Sequence, residues 1–136
     1  EVPVAAHRGP VRAGPVLGRS GGDAYYWRQF CDQLVDADSA LNPRAATSLA
    51  ESWDVSNPRA VTLNLRKGVQ FHDGTAFDAA AVKFSLERTK GMNPFAQASF
   101  NLISEITVVS PRVVRIALSE PYPAFLSILA QPQSAI

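Results

Sequence analysis

Two histidines, one cysteine and scattered acids carry the acid–base and nucleophilic reactivity of this chain. His72 stands beside Asp73 in the run "FHDGTAFD", residues 71–78. An imidazole next to a carboxylate is half of a hydrolytic site if a serine or cysteine lies within hydrogen-bond reach of the ring. The same eight residues also read as local architecture. Asp73-Gly74 is a turn dipeptide, because glycine accepts the positive φ that other residues resist. Asp78 suits the N-cap of a helix made by "AAAVKFSLERT", and Phe77 before the cap faces Val82 four positions after it, as in a hydrophobic staple. The expectation is a turn between a strand and a helix, with His72 satisfying its ring nitrogens within it.

Little else points to chemistry. His7 is far from His72 in the chain, and no HExxH or paired-histidine spacing marks a metal site. A single cysteine, Cys31, leaves no internal disulfide, no cysteine-based zinc site and no CxxC motif. Its apolar neighbours Trp27, Phe30 and Leu34 suit a small buried hydrophobe. There is no GxSxG elbow, no GxxxxGK[ST] phosphate loop and no GxGxxG after a strand. The glycines of "GRSGG" have no following helix to aim at a phosphate. Arg66 and Lys67 read as a solvated strand end, with no stacking platform beside them. No cofactor, metal or catalytic residue is therefore expected.

The elements that would position these residues follow from periodicity. Trp27, Phe30, Cys31 and Leu34 fall at helical spacing, with Asp23 as a plausible cap, and the helix must end before Asn42-Pro43. Leu49, Trp53 and Val55 share one face of a strand, although Glu51 shares it too. Val61, Leu63 and Leu65 alternate strictly with Thr62, Asn64 and Arg66. The turn chemistry of "SNPRA" joins these two strands as an antiparallel hairpin. Asn93-Pro94 suits the start of a short helix through "FAQASFNLI". "EITVV" and "VVRIAL" form a second hairpin around "SPR", with Val114, Ile116 and Leu118 on one face, and a last helix starts at Pro123. The fold class is α+β, a small mostly antiparallel sheet from two hairpins packed with three or four helices.

Bulk properties agree with one such domain. Hydrophobic residues make up 46% and charged residues 18% of the 136, a globular balance. A net charge of +1 provides no general pull on nucleic acid or anionic membrane. No window approaches the roughly 18 apolar residues of a membrane span. Residues 1–22, rich in proline and glycine and without the basic-then-apolar order of a signal peptide, read as a mobile leader before one subdomain over 23–136. The chain as given is expected to be soluble.

The succession of motifs carries a resemblance. "LAESWDVS", then "LRKGVQFHDGTAFDAAAVKFSLER", "NPFAQASF", and "VVRIALSEPYPAFL" before an apolar helix closely resemble the family 5 extracellular solute-binding proteins of ABC transporters. These are the oligopeptide, dipeptide and nickel-binding receptors. The resemblance covers roughly residues 25–136. Two departures are visible. Members usually have an acid where Ala80 and Ala81 stand, so half of a capping box is missing, and the residues before Tyr25 do not resemble the family's first strand.

The resemblance implies a periplasmic binding protein type II architecture, two lobes closing about a hinge over a peptide or small solute. Residues 25–136 correspond to a subdomain inserted near the start of the first lobe, so the expectation is a fragment of a receptor, with a truncated gene as the alternative. It also implies a periplasmic or extracellular location, an ABC permease as partner and no enzymatic activity. "NPFAQASF" corresponds to a segment at the edge of the ligand cavity, which nominates Phe95 as an aromatic wall, with Phe100 and Asn93 behind it. An aromatic at helical spacing equally suits a core. A ligand-sensing domain of a regulator and a hydrolase built on His72 are the alternatives.

Overall fold

Alternating apolar and polar residues in two segments fix the centre of the fold. The computed structural model describes residues 4–5, 31–40, 42–92 and 94–130, and of residues 4–5, 92 and 94–96 the backbone alone. Strand β1 is Val4–Ala5, β2 Asp36–Ala37 and β3 Pro43–Arg44; a 3₁₀ turn follows at Ala45–Thr47. Then come β4 (Ala50–Asp54), β5 (Ala60–Leu65), β6 (Gln70–Phe71), helix α1 (Ala79–Met92) and helix α2 (Pro94–Phe100). Strands β7 (Ile103–Ser110) and β8 (Val113–Leu118) precede helix α3 (Phe125–Leu129).

The two expected hairpins are present, and they join into one antiparallel sheet of order β4-β5-β8-β7. The seam is the β5–β8 pairing, in which Val61 lies opposite Ile116 and Leu63 opposite Val114. Direct cross-strand neighbours share a face, so the alternating residues of both strands meet on one side. Val61, Leu63, Leu65, Val114, Ile116 and Leu118 are all buried there. Thr62, opposite Arg115, which in turn faces Thr107 on β7, belongs to the other, polar side. Fully burying an aliphatic side chain contributes about 1.5–3 kcal/mol, so this row dominates the sheet's stability.

Helix α1 covers the apolar side. Ala79, Val82, Leu86 and Thr89, spaced by three and four, are buried, whereas Ala80, Phe84, Glu87 and Gly91 are exposed. Four of the five residues of α3, Phe125, Leu126, Ile128 and Leu129, are buried. Both helices complete a single core cluster with the sheet, giving the α+β fold.

Several local expectations are corrected. Cys31–Val35 are not helical. The carbonyls of Gln33 and Leu34 accept the amides of Leu49 and Ala50, each at 3.0 Å, so they are spent on a neighbouring segment rather than on the next helical turn. Cys31, Leu34 and Val35 are nonetheless buried; a short apolar run supports either element, and tertiary pairing chose the extended one. The remainder of that expected helix, 23–30, lies outside the described residues. Within the expected leader, Val4–Ala5 pair in parallel with Gln70–Phe71.

Glu51 does not share a face with Leu49. The register shifts between Ala50 and Ser52, and the extra residue of a bulge turns Glu51 outward, where it lies 3.9 Å from Arg112. Val55, past the end of β4, is 49% exposed. Helix α3 starts two residues later than Pro123. The first bonds there run from Phe125 to Tyr122 and from Ser127 to Ala124, the tighter spacing of a 3₁₀ turn.

Candidate functional site

The signature run "LRKGVQFHDGTAFDAAAVKFSLER" folds as a strand end, a double turn and a helix start. Gly68 at φ 70° turns the chain out of β5, and Gly74 at φ 82° closes the next turn. Around Gly74 the main chain bonds to itself: Phe71 N–H donates to Thr75 at 2.8 Å and Gly74 N–H to Phe71 at 2.9 Å. Phe77 N–H reaches back to Val69 at 3.0 Å. Phe71 and Phe77 are buried beneath the turn with their rings edge to face, centroids 6.0 Å apart, a geometry favoured by aromatic quadrupoles.

The polar residues of the run serve the same turn. Asp73 Oδ1 accepts both the Thr75 amide at 2.9 Å and the Thr75 hydroxyl at 2.6 Å. The hydroxyl nearest His72 in sequence is thus directed at the carboxylate. His72 itself is exposed. Asp78 Oδ1 accepts the Ala81 amide at 2.8 Å, the expected N-cap. Alanine at the third helical position offers no side chain to complete a capping box. Ala79 N–H instead donates to Pro111 at 2.9 Å, anchoring the helix start to the β7–β8 turn.

Arg66 departs from its expected role. Half-buried, it donates from Nε to the Ser48 carbonyl at 3.2 Å and from Nη2 to the Ala45 carbonyl at 2.7 Å. The guanidinium thus adds a second donor to the Ala45 carbonyl, which already accepts the Ser48 amide at 3.3 Å, and supplies one to the Ser48 carbonyl. Lys67 is exposed. The 45–48 turn is further tied down by the Ser48 hydroxyl, which donates to Arg44 at 2.6 Å and accepts the Asp36 amide at 2.7 Å. A donor fork 18 to 21 residues beyond its acceptors has no local sequence signal.

The ligand-facing residues nominated by sequence fare differently. Phe100 is 1% exposed and belongs to the core cluster; in this chain its ring serves packing. Phe95 lies in α2, with its side chain outside the description, and Asn93 is outside the described residues. Helix α2 has one side in the core through Phe100 and another open at Gln97 and Ala98. Among the described residues no group of three or more His, Cys, Asp or Glu side chains is placed to hold a metal ion. No helix among them is long and apolar enough to cross a membrane.

Two further polar groups stand out. Gln33 is 6% exposed, and among the described residues its carboxamide has no hydrogen-bond partner. Lys90, in the last turn of α1, donates to the Ile103 carbonyl at 2.7 Å. Helical periodicity gives no warning of either, since both depend on segments that meet only in the folded chain. What the arrangement offers is a turn of mutually bonded main chain over two packed aromatic rings.

Comparison with known proteins places this geometry. The sequence profile of the bacterial extracellular solute-binding proteins, family 5 middle region, matches residues 45–136. The glutathione-binding protein GsiB of Salmonella paratyphi A is 42% identical over 113 residues, covering 80% of this chain and 22% of its own. The chain therefore spans about a fifth of the length of that curated relative. Among solved structures, AgaA of A. tumefaciens R10 in complex with agropinic acid superposes with a TM-score of 0.76 at 31% identity, over 94% of this chain and 26% of that one. OppA of Burkholderia pseudomallei superposes with a TM-score of 0.79 over 90% of this chain and 27% of its own; at 13% identity it speaks for the fold alone.

Proposed function

This chain belongs to the family 5 bacterial extracellular solute-binding proteins, and from that premise we propose that it forms one wall of the solute cleft in the receptor of an ABC importer. The observation that carries the proposal is the run from Leu65 to Arg88. It folds as the strand end, packed turn and capped helix described above, and it lies inside the family match over residues 45–136. The solute class is peptides or related small solutes. Glutathione, itself a short peptide, is the first to try, because the relative at 42% identity is named for binding it.

In this reading the chain is a binding module and not an enzyme. His72, Asp73 and Gly74 shape the turn; Phe95, with Asn93 before it, edges the cavity. Receptors of peptides draw affinity from main-chain hydrogen bonds and tolerance from hydrated side-chain pockets. One wall alone encloses little of a small ligand, and pockets that bind tightly bury most of its surface. Tight binding therefore belongs to a longer receptor whose opposite lobe closes on the solute, located in the periplasm or outside the cell and delivering to a membrane permease.

The test joins genetics to calorimetry. The locus is sequenced on both sides of residues 1 and 136, and the product of the reading frame is titrated with glutathione, dipeptides and longer peptides. A second lobe and heat of binding with one peptide class are expected. Phe95→Ala should then weaken binding roughly tenfold with little change in stability, as loss of about 1.4 kcal/mol of aromatic contact implies. A frame without a second lobe, or silence with every peptide, overturns the proposal.

A further inference from the structure

We draw no further inference here: the strongest candidate, the exposed Phe84 on the solvent side of helix α1 between Ala80 and Gly91, is an apolar face for which nothing in the structure shows what covers it.

Discussion

Lys90 Nζ lies 2.7 Å from the main-chain oxygen of Ile103, joining the last turn of α1 to the first residue of β7. Strand β7 is an edge of the four-stranded sheet, and edge strands present main-chain groups that the sheet itself does not pair. A charged donor on one such carbonyl ties helix to sheet and blunts one end of the edge.

Replacing that donor should be costly. Hydrogen bonds to charged groups contribute about 1.5–3 kcal/mol, and the half-exposed setting of Lys90 places Lys90→Met at the lower end. Urea unfolding monitored by far-UV dichroism should show a midpoint shift equivalent to about 1–2 kcal/mol. An unchanged midpoint would mean that the bond contributes nothing to the folded state.

Asp78 gives a sharper local test. The cap is a single hydrogen bond from Ala81 N–H, with no reciprocal acid at position 81. Asp78→Ala should destabilise by about 1 kcal/mol, while Asp78→Ser keeps most of the stability. Amide exchange at residues 79–82 should accelerate in the alanine variant well beyond exchange in β5. Uniform acceleration throughout the chain would contradict a cap acting on the helix start.

Gln33 predicts the opposite sign. Its carboxamide has no partner among the described residues; a buried polar group left unpaired costs its desolvation, about 1–3 kcal/mol, and replacing it by an apolar one of similar shape relieves that cost. Gln33→Met, close in length and volume, should therefore raise the unfolding free energy by about 1 kcal/mol. A loss of stability in that variant would show that the amide is satisfied in solution.

Acid should expose two surface carboxylates. Asp38 is held below its ordinary value of 3.8, first by the hydrogen bond from the Asn42 amide. Asp54 is lowered in the same direction by hydrogen bonding from Ser56. Because the folded-state values are depressed, the unfolded chain binds protons more readily as the pH falls. The stability they contribute is complete well above pH 3.8 and is lost as the pH drops through the folded-state values. Asp38→Asn with Asp54→Asn should flatten the pH dependence of unfolding below about pH 4. An identical acid limb in wild type and double variant would remove these two groups from the account.

What the sequence determined by itself is whatever neighbours within four residues dictate. The alternation of Val61, Leu63 and Leu65 and of Val114, Ile116 and Leu118 predicts two half-buried strands, and all six side chains are buried. Asp73-Gly74 and Asp78 predict a turn and a cap, both of which bond as expected. The family signature is equally local, since it is a run of turns, caps and strand ends. Other features needed tertiary structure, because they depend on partners that meet only after folding. The β5–β8 pairing fuses two hairpins into one sheet, a choice for which neither hairpin carries a local signal. Cys31–Val35 look helical in isolation, yet Gln33 and Leu34 spend their carbonyls on Leu49 and Ala50. Phe100 suits a ligand wall as well as a core, and the folded chain buries it in the core cluster. Arg66 reads as a solvated strand end until the chain brings it against carbonyls twenty-one residues away. Periodicity fixes which face of a segment is apolar; only the packed chain decides what that face meets.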